Sequence, residues 1–144
     1  GKIDIVATDH APHTQDEKNN SYFKCPSGGP LLQHSLPAML ELASMGIFTI
    51  EKVVEKMCHL PAILFDIADR GFIREGFKAD LVLIDPKLNW TVTPNNILYK
   101  CGWSPFEGTV FSNSIHSTFV NGHLVYNNGI FNEDKKGQRL LFNR

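Results

Sequence analysis

Ile3-Asp4-Ile5-Val6-Ala7-Thr8-Asp9-His10-Ala11-Pro12-His13 is the stretch on which the fold turns. Ile3 to Ala7 is a short apolar run rich in β-branched residues, broken only by Asp4. Such a run predicts a strand buried on both faces, as in a parallel sheet. In parallel α/β arrangements the C-terminal ends of strands are where sites form, and Asp9 follows the run directly. A carboxylate there can bind a metal or move a proton to and from metal-bound water. His13, four residues on, can return to the same mouth because Pro12 restrains the turn. Spacing alone leaves another reading open, in which Thr8-Asp9-His10 closes a strand and Asp9 caps the next turn.

Outward from this stretch the chain divides in two. His13 to Pro30 is polar and irregular, long enough for a functional loop. Leu36, Met39, Leu40 and Ala43 then fall at helical spacing, with Ser35 expected as the cap and Gly46 as the stop. Ile50, Val53, Val54 and Met57 repeat the pattern behind a Thr49 cap, with Glu51 favourably near the helix start. Pro61 opens a further short segment running to Ile67. After Gly71 the period changes. Leu81 to Ile84 predicts a buried strand ended by Asp85-Pro86. Ser117–Val120 and His123–Tyr126 flank Asn121-Gly122, the strongest short hairpin signal, and Asn128-Gly129 marks another turn. A small α+β domain fits this pattern, and so does the end of an α/β barrel followed by a β-rich subdomain.

Composition narrows the class. The 144 residues are 42% hydrophobic and 20% charged with net charge −1, a soluble globular profile with no electrostatic case for nucleic acid or an anionic membrane. No apolar run approaches the roughly 18 residues of a spanning helix. Cys25, Cys58 and Cys101 are odd in number and widely spaced, which predicts structural thiols in a reducing, cytoplasmic setting. The start of the chain lacks the pattern of a signal peptide and reads as the middle of a fold.

Four stretches, in order, resemble the dihydroorotases of the amidohydrolase superfamily: ATDHAPHTQDEK (7–18), SGGPLLQHSLPAML (27–40), RGFIREGFKADLVLID (70–85) and GWSPFEG (102–108). The third is shared across many amidohydrolases; the first and last narrow the match. The resemblance implies an α/β fold, namely the C-terminal piece of a TIM-like (β/α)8 metal-dependent hydrolase barrel plus part of a β-sandwich subdomain. Residues 1–70 would then be the end of the barrel, with strand eight, substrate loop and helices, and residues 71–144 the β-rich subdomain. It implies reversible hydrolysis of dihydroorotate to N-carbamoyl-aspartate in pyrimidine biosynthesis. Asp9 would be the general acid/base and a ligand to zinc, present as one or two ions. His13 would bind the substrate carboxylate, Ala11 would add backbone contacts, and Pro30 and Leu31 would meet the pyrimidine ring. Leu31 stands where the family has glycine. His10 is expected either to orient the loop or simply to be satisfied by backbone. His34, His59, His116 and His123 are expected to be structural or exposed, and the Trp103–Gly108 turn to pack subdomain against barrel.

The family's other metal ligands, an H-x-H pair, a lysine and two histidines, have no counterpart here, and neither do its carboxylate-binding arginine and asparagine. The chain alone is therefore expected to be inactive and, as a partial fold, either cut from a longer protein or covered by self-association as a homo-oligomer. An allantoinase or hydantoinase is the nearest alternative. A non-catalytic scaffold partnering aspartate carbamoyltransferase is another, against which retention of both Asp9 and His13 argues.

Overall fold

Helical turns fill the first half and antiparallel strands the second in the computed structural model, which describes residues 2–143. The helices are α1 (Gln15–Lys18), α2 (Ser35–Ser44), α3 (Ile50–Val54) and α4 (Leu60–Leu64), with a π-helical turn, Glu55–His59, joining the last two. That widened turn has a cause in the sequence. Pro61 has no N–H to give and its ring crowds the carbonyl four residues back, so the ladder slips and the Leu60 N–H bonds the Glu55 carbonyl instead. Thr49 caps α3 as expected, accepting from the Lys52 N–H at 3.2 Å. Ser35 does not cap α2. A 3-10 turn, Leu32–His34, runs straight into the helix, leaving no extended cap position, and the Ser35 hydroxyl donates back to the Leu32 carbonyl at 3.0 Å.

The strands are β1 (Leu81–Asp85), β2 (Trp90–Thr91), β3 (Val110–Phe111), β4 (Ser114–Val120), β5 (His123–Asn127) and β6 (Ile130–Phe131). They form a four-stranded sheet ordered β1-β4-β5-β6 and a separate β2-β3 pair, all antiparallel. Asn121 and Gly122 both take positive φ, 51° and 79°, as a two-residue hairpin turn requires, and Asn128-Gly129 repeats this before β6. Arg70 ties the hairpin to the preceding loop. Its guanidinium pairs with Asp80 and donates to Asn121 Oδ1 at 2.7 Å, while Asp80 accepts the Asn121 N–H.

Two expected burials do not occur among the described residues. Ile3 to Ala7 join no sheet and Ile3 is 71% exposed; their polar ties run to the helical rod, Val6 N–H to the Lys56 carbonyl and Lys56 Nζ to the Ile3 carbonyl. A strand exists only through a neighbouring strand, and none lies beside this run. β1 forms, but Val82, Leu83 and Ile84 remain exposed, because no layer of the described chain covers them.

The core sits where the start of α2 meets the 90–111 segment. Val92 and Phe111 are buried there, and His34 is completely enclosed among Trp90, Tyr99, Phe106 and Phe111. Glu41 pins α2 to the β3–β4 connection by accepting the Ser112 N–H and hydroxyl, both at 2.8 Å. No helix is long and apolar enough to cross a membrane among the described residues.

Candidate active-site loop

Two short arms, residues 9–13 and 28–33, lie side by side. At Asp9 the chain turns through the left-handed region (φ 43°), which an aspartate tolerates better than most residues. His10 then bridges Gly29 in parallel, and the Ala11 N–H donates to the Gly29 carbonyl at 3.1 Å. The arms can approach because position 28 is glycine, with φ 86°; a Cβ there would stand 2.7 Å from the Ala11 Cβ.

His10 clasps the second arm. Its Nδ1 accepts the Leu31 N–H at 3.2 Å and the Leu32 N–H at 3.3 Å. A nitrogen that accepts two N–H groups carries no proton, so the ring's proton sits on Nε2. Both expectations for His10 meet in this arrangement, since it is satisfied by backbone and thereby orients the loop. The next amide, Gln33, donates to Tyr99 Oη at 2.6 Å, and the Tyr99 ring lies 5.2 Å from that of His10. Burial pushes the Tyr99 phenol up.

The five residues expected to form the site are thus brought together as one loop pair, with differing access. Asp9 is exposed, and its carboxylate makes no hydrogen bond or ion pair among the described residues. His13 is half-buried, with Nδ1 3.7 Å from a Glu17 oxygen, too long for a hydrogen bond. Glu17 closes a capping box with Thr14, whose N–H and hydroxyl hold its carboxyl below the usual range, with a smaller contribution from His13. Pro30 is fully buried, and the Leu31 N–H is already committed to His10. That amide is therefore not free for a ring contact in this arrangement. Lys18 closes the loop from behind, its Nζ donating to the Pro26 and Gly28 carbonyls at 2.7 and 3.0 Å.

Of three further supports, the Trp103 turn packs across the two halves as expected, while Tyr99 and Gly28 carry no role in the sequence pattern. Tyr99 and Trp103 reach in from the β-rich half, the Trp103 indole N–H donating to the His13 carbonyl at 2.8 Å. Gly28 allows the close approach, and a Gly-Gly-Pro turn was the one local signal for it. The other histidines behave as expected: His34 is enclosed, His59 stacks on Phe72 at 4.4 Å, and His116 pairs with Ser117. All three cysteines are free. A groove of about 750 Å³ runs instead along the sheet past Leu88, Trp90, Tyr126 and Phe131, with no Asp, Glu, His, Lys or Arg among its lining residues.

A zinc site needs three or four protein ligands. Among the described residues no group of three His, Cys, Asp or Glu side chains could hold a metal ion. Asp9, with both oxygens open, fits the part of one ligand, and these residues do not complete a site.

Known proteins share this sequence and shape. Residues 1–125 match the sequence pattern described as the Amidohydrolase family. The chain is 31% identical to a dihydroorotase of Pyrococcus furiosus over 140 residues, 97% of the chain and 33% of that protein. It is 40% identical to one from Geobacter metallireducens over 126 residues, 88% of the chain and 30% of that protein. Among solved structures, the L-hydantoinase (dihydropyrimidinase) of Arthrobacter aurescens superposes with TM-score 0.83 at 31% identity, over 91% of this chain and 30% of that one. The chain thus spans about a third of the length of the curated relatives it matches.

Proposed function

Because the chain belongs to the amidohydrolase family, we propose that it carries the substrate-side part of a dihydroorotase active site. The whole protein would reversibly hydrolyse (S)-dihydroorotate to N-carbamoyl-L-aspartate, in the cytoplasm, as a step of pyrimidine biosynthesis. Residues 1–70 would be the end of a (β/α)8 barrel and 71–144 part of a β-sandwich subdomain.

The observation that carries this reading is the His10 clasp, which holds Asp9, Ala11 and His13 beside the Pro30-Leu31 turn. Asp9, exposed and unpartnered, is free to take a proton from the attacking water and return it to the departing ring nitrogen. His13 would donate a ring N–H to the substrate carboxylate, and a fixed carboxylate sets the ring's orientation. Ala11 lends backbone to the same wall. Zinc, when bound, polarises the ring carbonyl and brings bound water to a pKa of about 7; Asp9 would be one ligand, the others lying outside these residues. The 144-residue chain alone is expected to be inactive.

The test is His13→Ala in the full-length protein. Loss of one charge-assisted hydrogen bond raises the KM for dihydroorotate about ten- to a hundredfold, while hydantoin turnover changes little. Equal losses on both substrates would refute the assignment. The likeness to L-hydantoinase favours a second reading, a hydantoinase-type enzyme, and efficient hydantoin turnover with none of dihydroorotate would establish it.

A further inference from the structure

We propose that Trp103 is a positioning residue for His13, acting on the loop from the opposite half of the chain. The inference rests on the role given to His13 above, and its geometric part stands apart from that role. The His13 carbonyl lies just before α1, outside the helical ladder, and among the described residues the bond it accepts from Trp103 Nε1 at 2.8 Å ties it to the β-rich half. A half-buried indole N–H needs an acceptor, and here it takes one 90 positions away rather than in its own turn. The same ring also backs the second arm, since a Cβ on Gly29 would meet Trp103 Cη2 at 3.7 Å. One side chain therefore bonds the first arm and stands beside the second.

The platform under the indole is rigid. Ser104, buried, pairs through Oγ with His34 Nδ1 at 3.0 Å and accepts the Phe106 N–H at 3.2 Å. Gly102 N–H closes a turn on the Tyr99 carbonyl at 3.0 Å, and Tyr99 itself holds the Gln33 amide. The direction of the N–H is thus set before the loop meets it. A ring that only filled space could be exchanged for phenylalanine without consequence for His13. A ring that positions His13 through its N–H could not.

Trp103→Phe in the full-length protein removes the donor and keeps an aromatic ring on the same platform, giving up only the indole's outer edge. Trp103→Ala serves less well because it also empties the space beside Gly29. With Trp103→Phe the KM for dihydroorotate is expected to rise about three- to tenfold, the range of one neutral hydrogen bond, with kcat much less affected. On a His13→Ala background the same change adds nothing. Independently of activity, hydrogen–deuterium exchange speeds up in peptides covering residues 9–18 and stays unchanged across the β4–β5 hairpin. Unchanged exchange in 9–18, or effects of the two substitutions that multiply, would overturn the proposal. If Trp103→Phe loosens 9–18 while His13→Ala leaves KM alone, the positioning is upheld and only the carboxylate role of His13 fails.

Discussion

His34→Phe should remove a loss of stability that sets in as the solution is acidified below neutrality. His34 is 0% exposed, its Nδ1 is paired with Ser104, and its Nε2 is buried without a partner among the described residues. Burial pushes the imidazole pKa below its ordinary 6.5. The unfolded chain therefore takes up a proton near pH 6.5 that the folded chain refuses. Stability is full above that pH and declines as the pH falls, until the lower folded-state pKa is passed. The slope reaches at most about 1.4 kcal/mol per pH unit, or about 4–6 °C in Tm for a chain of this size. Phenylalanine fits a cage of Trp90, Tyr99, Phe106 and Phe111 and has no orphan nitrogen, and Ser104 retains the Phe106 N–H. At pH 7.5 the variant should lie within about 1 kcal/mol of the parent. Urea unfolding followed by tryptophan emission at pH 7.5, 6.5 and 5.5 reads the difference, with Trp90, 5.9 Å from His34, as reporter. The range lies above the titration of ordinary carboxylates. Parallel pH dependences of parent and variant would refute the reasoning.

Gly71→Ala should cost about 3 kcal/mol, since φ is 80° and the new Cβ would stand 2.5 Å from Ala62 Cβ and 2.7 Å from the Cys58 carbonyl; a Tm drop near zero would contradict it. Gly28→Ala should push the two arms apart at the 2.7 Å contact with Ala11, so substrate KM should worsen more than Tm, read by kinetics and melting on one sample. Glu41→Gln should cost about 1 kcal/mol after allowance for solvent screening, seen as a lower urea midpoint. The Ser112 N–H and then its hydroxyl hold the Glu41 carboxyl low. Its contribution is therefore present above about pH 4.5 and lost as pH falls through the depressed value, and the glutamine variant should lack that acid limb.

Local chemistry made some elements legible. Asn121-Gly122 specifies its hairpin because few other residues accept two successive positive φ values, and Thr49 caps α3 because its extended backbone turns the hydroxyl oxygen to the Lys52 N–H. Ser35 looked the same in sequence, yet the turn before it offered a carbonyl instead. The apolar runs at Ile3–Ala7 and Leu81–Ile84 announce that something should cover them and cannot say what; among the described residues Ile3, Val82, Leu83 and Ile84 stay exposed. The site divides the same way. Asp9 and His13 stand in a recognisable order, and the clasp by His10 had a local hint in the nearby Gly-Gly-Pro. The Tyr99 and Trp103 bonds join residues 66 and 90 positions apart, and no periodicity records such a meeting.

That last separation bears on the order of events in synthesis. The Asp9–His13 motif leaves the ribosome 90 residues before its indole anchor, a lag of about 5–20 s at ordinary elongation rates. Closing a loop of that length costs about 4 kcal/mol of chain entropy, which the contacts between the two halves must offset. A nascent chain halted before Trp103 would hold every residue of the motif and of the His10 clasp and still lack the indole bond on the His13 carbonyl, so the loop's last support would be made well after the loop itself.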